Sequence, residues 1–146
     1  MIRTVPLTAV QAAVFKTLND NLTGYPVMDD STPFESGKLP GEEFVIIGAI
    51  TAVPQGTKGN TALWETTVTL DVYSRYKGKK RVNEIVDEIV TVLTGVAGHG
   101  TFPLEGYSLI MLNIESVEAR AEDWNDDEVW QHGIVRVAIT VEQDKY

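Results

Sequence analysis

Cysteine is absent from the 146 residues. That removes disulfide frameworks, thiolate zinc sites, iron–sulfur clusters and cysteine nucleophiles together. Histidine is scarce as well. The chain has 2, His99 and His132, in neither HxH nor HxxxH spacing, so it offers no histidine-rich metal site. Positive charge is in deficit: 12 Lys plus Arg against 21 Asp plus Glu give a net charge of −9. This is the wrong sign for a protein that coats DNA through phosphate contacts. No apolar run approaches the roughly 20 residues of a membrane span. Behind its single charge, Met1-Ile2-Arg3-Thr4-Val5-Pro6 has no long apolar stretch, so no signal peptide is expected. The expectation is a soluble protein, made in a cytoplasm, with no metal, no cofactor and no membrane contact.

What is present suits one domain spanning residues 1–146. A chain of this length can bury roughly 70% of its unfolded surface and needs no covalent staple. Val10, Val14, Leu18 and Leu22 recur every four residues and predict a helix from Leu7 to Leu22. Thr8 and Gln11 match a capping box at its start, and Gly24 supplies a stop. Tyr25 to Glu43 is rich in Gly, Pro and Asp and reads as a loop, with a short strand at Tyr25 to Met28 compatible with it. Phe44 to Ile50 is a β-branched run and predicts a buried strand. Pro54 to Asn60 has no apolar anchor and reads as a mobile hairpin loop.

Trp64 to Ser74 alternates. Trp64, Thr66, Val68, Leu70 and Val72 lie on one face, with polar residues and Tyr73 on the other, as in a half-exposed antiparallel strand. Val82, Ile85, Val86, Ile89 and Leu93 mark a second amphipathic helix, closed by Gly95. Tyr107 to Val117 and Ile134 to Val141 predict two further strands, joined by an acidic loop around Glu122 to Glu128. The expected fold is α+β: a single antiparallel sheet of about four strands with two helices packed on one face.

Candidates for chemistry are few. Gly95-Val96-Ala97-Gly98-His99-Gly100 contains GxxGxG but lacks a GK[ST] ending, and it follows a helix where a phosphate loop follows a strand. It reads as a helix end and turn, with His99 a solvent-exposed loop histidine. His132 lies at the start of the last strand and reads as structural or interfacial. The acids of 122–128 lack the EF-hand spacing and read as a solvated acidic turn. No catalytic residue is expected.

Charge, by contrast, is segregated. Arg75, Lys77, Lys79, Lys80 and Arg81 place five of the 12 basic residues within one short stretch, and Glu122, Asp123, Asp126, Asp127 and Glu128 do the same for acids. Cations at a helix start oppose the macrodipole at a few tenths of a kcal/mol each, so local stability does not select Lys79, Lys80 and Arg81. Either the basic cluster is a solvated face, or it meets an acidic partner: the acidic loop of a neighbouring copy, or another protein. Trp64 belongs to the core. Trp124, among acids, is an interface anchor or packs locally.

Val68 to Tyr73, ending in Tyr73-Ser74-Arg75, then a basic, glycine-containing turn to Lys80 and an amphipathic helix, resembles the tail-completion family of long-tailed bacteriophages, the tail terminators or tail-to-head joining proteins. The lead into Phe44-Val45-Ile46-Ile47-Gly48 and the strand His132-Gly133-Ile134-Val135-Arg136-Val137 agree with it; a longer loop from Asp29 to Glu42 departs from it. The resemblance covers nearly the whole chain. It implies a structural virion protein that caps the head-proximal end of the tail tube as a ring, commonly of six copies, and offers the docking surface for the head connector. Partners would be further copies, the tail-tube protein and connector proteins, with DNA only as passing cargo. An acidic ring suits a channel through which DNA slides. The rival readings are another head–tail adaptor or minor tail subunit and, from a different class, a small ligand-binding or hydrolase domain. The expected interface residues are Gln55, Lys58, Arg75, Lys77, Lys79, Lys80, Arg81, Glu122, Asp123, Trp124, Asp126 and Asp127.

Overall fold

A computed structural model describes residues 3–29, 41–55, 62–125 and 128–144. The elements are α1 (Leu7–Asn21), β1 (Val27–Met28), β2 (Glu43–Gln55), β3 (Leu63–Ser74), α2 (Lys80–Gly98), β4 (Tyr107–Asn125) and β5 (Glu128–Gln143). The strands form one sheet in the order β1-β2-β3-β5-β4.

The fold is α+β with two helices, and the sheet corrects the expectation of four antiparallel strands. It has five strands and is mixed, because β1 runs parallel to β2 through Val27↔Val45 and Met28↔Ile46. A parallel neighbour needs a connection of about a dozen residues to return the chain to the same end, and the long segment from Asp29 to Glu42 supplies that length.

The alternation in β3 has the expected consequence. Val68, Leu70 and Val72 are fully buried beneath Val10, Val14 and Leu18 of α1 and Ile85, Ile89 and Leu93 of α2, with Val135, Val137 and Ile139 of β5 in the same cluster. Trp64 is buried in this core as well. Gly133 of β5 lies under α2. A Cβ there would stand 2.8 Å from Val86 Cγ2 and 3.0 Å from Val82 Cγ2, so only glycine lets the first turns of α2 settle on the sheet at this point.

Four boundaries differ from expectation. Thr8 does not cap α1: the N-cap is Pro6 and no side chain bonds there, so Thr8 already lies in the first turn. Gly95 does not end α2, which runs on to Gly98 because Val96, in the next turn, still has core to pack against. Pro54 and Gln55 are strand residues, paired with Trp64 and Leu63; the rest of that expected mobile loop, 56–60, lies outside the described residues. The acidic segment is mostly strand. The β4–β5 ladder continues through Glu122↔Trp130, Asp123↔Val129 and Asn125↔Glu128. Ladder hydrogen bonds are made by the backbone, so charges that read as loop signals in the sequence do not prevent the pairing.

Candidate functional site

The register sorts the expected interface residues onto the two ends of the sheet. At one end, Glu43 pairs with Ser74, Ser74 with Gln131, and Gln131 with Ala121. The basic turn leaves β3 here, and the β4–β5 ribbon carries Glu122 and Asp123 past the same end. The two oppositely charged clusters therefore share one end of a single subunit. At the opposite end, Gln55 closes β2 and its Nε2 donates to Glu65 Oε2 at 3.2 Å. Lys58, Asp126 and Asp127, and the side chains of Glu122, Asp123 and Trp124, lie outside the described residues.

The basic turn is built by Ser74 and Gly78. The buried Ser74 accepts a hydrogen bond from the Tyr76 N–H at 3.1 Å, and Gly78 adopts φ +88°, a left-handed conformation that suits glycine. The cations that follow divide into two kinds. Arg81 is held within the subunit: its Nε lies 2.6 Å from Glu43 Oε2, its NH1 3.1 Å from Glu84 Oε2, and its guanidinium 5.7 Å from the Tyr25 ring centroid. The hydrogen bond it donates to Glu43 is the main reason its pKa is raised. Those carboxylates resolve the oddity of a cation at this helix start. Arg75 lies over the Trp130 ring, 5.3 Å from its centroid. Lys77, Lys79 and Lys80 are exposed and, among the described residues, have no carboxylate at ion-pair distance.

A second cluster escaped sequence reading. On the sheet face away from the helices, Phe44, Ile46 and Trp130 are buried against Tyr73 and Met28. Phe44 stacks on Tyr73 at 5.3 Å and meets Trp130 edge-on at 5.6 Å. His132 stacks on Tyr73 at 4.4 Å, and its Nε2 lies 2.8 Å from Asp71 Oδ1. A His–carboxylate pair is the base half of many catalytic sites. Here the imidazole is buried and stacked on Tyr73, so with Asp71 it ties β5 to β3. The signal in the sequence was faint: Asp71 and Tyr73 share the polar-face parity of β3, but their partner stands some 60 residues away. His99, by contrast, is exposed just beyond α2. Among the described residues, no three His, Asp or Glu side chains come together to hold a metal ion, and no helix is long and apolar enough to cross a membrane.

Comparison with known proteins agrees with this picture. A chain of the solved structure titled "Virion of native gene transfer agent (GTA) particle" superimposes with a TM-score of 0.59 at 18% identity, over 96% of this chain and 99% of that one. At that identity the likeness is one of fold. No curated protein sequence matches the chain. The family profile described as "Tail completion protein gp17" matches residues 31–142, from the segment before β2 to the end of β5. The chain therefore belongs to the tail completion protein family: it is a structural protein of the bacteriophage virion tail and not an enzyme.

Proposed function

We propose that this protein caps the head-proximal end of the tail tube as a closed ring, with six copies as the expected number, and that the ring provides the surface on which the head connector docks. The family match over residues 31–142 carries this reading. The placement of charge supports it. Gln55 belongs to one end of the strands; Arg75, Lys77, Lys79, Lys80 and the ribbon backbone at Glu122 and Asp123 belong to the other. A ring built head to tail uses two different surfaces of each copy, repeated at every boundary, and two unlike strand ends supply them. Tail-tube and connector proteins are the further partners. DNA passes through without binding, because a chain with net charge −9 repels phosphate.

The test is electron microscopy of particles assembled without this protein. Full heads that fail to join, beside tails of irregular length or lacking a cap, are the expected result. Normal joined particles would remove the proposal. Joined heads with defective tails alone would move the protein to the rival position of a minor tail subunit.

A further inference from the structure

The helix-side face of the sheet is not covered along its whole length. Above Gly133 the first turn of α2 lies on the sheet, but the β4–β5 ribbon continues beyond the start of that helix. On the same face the ribbon presents Val117, Ala119, Ala121 and Val129, by the register Val117↔Val135, Ala119↔Gly133, Ala121↔Gln131 and Asp123↔Val129. Val117 is 53% exposed and Val129 54%. The core face thus runs out into solvent as an apolar ledge, at the end of the sheet where the turn into α2 carries Lys77, Lys79 and Lys80, which have no ion-pair partner among the described residues.

The opposite end of the molecule has the complementary shape. Between α1 and the turn before β4 runs a groove of about 570 Å³ lined by Val5, Ala9, Ala12, Pro103 and Leu104, with Val5 58% exposed. It is fixed there by the bond between Thr4 Oγ1 and Tyr107 Oη at 2.5 Å. Its charged surroundings are mixed but net negative: Glu105 and Lys16 line it, Lys16 is already paired with Asp20 at 2.9 Å, and Asp144 is anchored alongside by its N–H to the Gly106 carbonyl at 3.0 Å. Tyr107 and Val117 pair with Gln143 and Val135, eight positions apart along β5, on the order of 26 Å, so ledge and groove of one copy cannot meet.

One obvious alternative is closed. β4 is the sheet's long edge strand, but its register breaks between Leu109 and Met111, between Ile114 and Ser116, and between Asp123 and Asn125. Bulges of this kind stop an edge from templating a further strand. That edge is poorly suited to strand addition, and the exposed apolar surface lies at the two ends.

We propose that successive copies join head to tail, the ledge Val117–Val129 of one copy seated in the groove between α1 and Leu104 of the next, with Lys77, Lys79 and Lys80 facing Glu105 and Asp144. This rests on the ring reading and names the two surfaces that close it. The contact is apolar at its centre and, on the α2 side of its rim, sets lysines against carboxylates, the usual anatomy of a protein interface.

The native absence of cysteine makes the test clean. In the full chain, Val117→Cys and Ala12→Cys are combined, and assembled tails and the free protein at high concentration are treated with a short thiol-to-thiol cross-linker. The double variant should give a covalent ladder that ends at the ring's copy number, while each single variant gives no dimer. The triple reversal Lys77→Glu, Lys79→Glu, Lys80→Glu in the double-cysteine background should cut ladder yield severalfold, and adding Glu105→Lys with Asp144→Lys should restore it. Dimers from either single variant would overturn the inference in favour of a symmetric contact. A ring seen by electron microscopy in wild-type tails, without a ladder from the double variant, would overturn the surfaces and leave the ring. Tails that contain no ring would overturn both.

Discussion

The two faces of the sheet solve the same problem by different means. On the helix side, burial is broad and aliphatic. Val45, Ile47, Val68, Leu70, Val72, Val135, Val137 and Ile139 all lie under α1 or α2, and each is replaceable only at the cost of a void. On the far side, burial is confined to one aromatic knot of Phe44, Tyr73 and Trp130, braced by His132 and Asp71. Elsewhere that face is Thr51, Thr67, Thr69, Ala138 and Thr140, partly or wholly open. One face therefore gains from area, at roughly 25 cal/mol per Å² removed from water. The other gains from a few specific contacts, and these should respond to chemistry more than to size.

The largest effect should come from the broad face. Leu70→Ala leaves a cavity beneath two helices and should cost about 2–5 kcal/mol, the range for large-to-small changes in a closed core, as read by denaturant unfolding. A loss under about 1 kcal/mol would mean that α1 and α2 can collapse into the space, and the contrast between the faces would fail. Next comes Gly133→Ala, which adds one methyl where Val86 and Val82 already stand at 2.8 and 3.0 Å from its position. Overpacking of this kind costs about 1–3 kcal/mol. Combining it with Val86→Ala should recover much of the loss, because Val86 Cγ2 is the nearest obstacle; no recovery would place the strain in the backbone.

The third prediction probes the far face. Asp71→Ala removes the acceptor facing His132 Nε2 and leaves a buried imidazole nitrogen without that partner, a change worth about 1–3 kcal/mol. Asp71→Asn keeps a side-chain oxygen and a similar shape, so it should cost less than half as much. Equal losses from the two substitutions would show that the pair contributes volume and not hydrogen bonding.

How much of this was legible follows the same division. The helix-side face announces itself locally: the fourfold recurrence from Val10 to Leu22 and the alternation from Trp64 to Ser74 are each readable within one segment, and both placed their residues correctly in the core. The aromatic knot has no local period. Phe44, Tyr73 and Trp130 come from three strands and become neighbours only when β3 has been placed between β2 and β5, so no single window contains the signal. Arg81 failed for a related reason: its clash with the helix start is visible in sequence, while Glu43, which answers it, is supplied by β2. The short strand expected within Tyr25 to Met28 is present as β1, but its parallel direction was hidden, because nothing in Val27-Met28 states one. At the expected interface, composition located the charged segments, but only the register shows that the basic turn and the acidic ribbon share one end. The apolar ledge was concealed because the expected strand ended at Val117 and the acids of Glu122 to Glu128 read as a loop, so the continuation of the ladder past Val117 had no signal of its own.

The smallest effect sharpens the comparison at its margin, where the aliphatic core carries a polar tip. Tyr25 is buried with that core, and its hydroxyl donates to Glu88 Oε2 at 2.5 Å. Burial first, and then the hydrogen bond to Glu88, push its pKa well above the ordinary value of 10.0. At neutral pH, Tyr25→Phe loses one hydrogen bond and should cost about 0.5–1.5 kcal/mol. The sign of the pH dependence follows from linkage. Above pH 10 the unfolded chain releases the tyrosine proton while the folded chain keeps it, so the unfolded state binds fewer protons and stability falls as pH rises. The contribution of the protonated hydroxyl is thus fully present below about pH 10 and is lost on going up through the alkaline range. The phenylalanine variant has no such proton to lose. Its deficit against the wild type should therefore be constant from pH 7 to pH 9 and shrink from pH 10 upward, in paired denaturant titrations that cancel the common titration of lysines. A deficit that stays constant to pH 12 would mean that the Tyr25 hydroxyl ionises as freely folded as unfolded, and that this tip of the core is open to water.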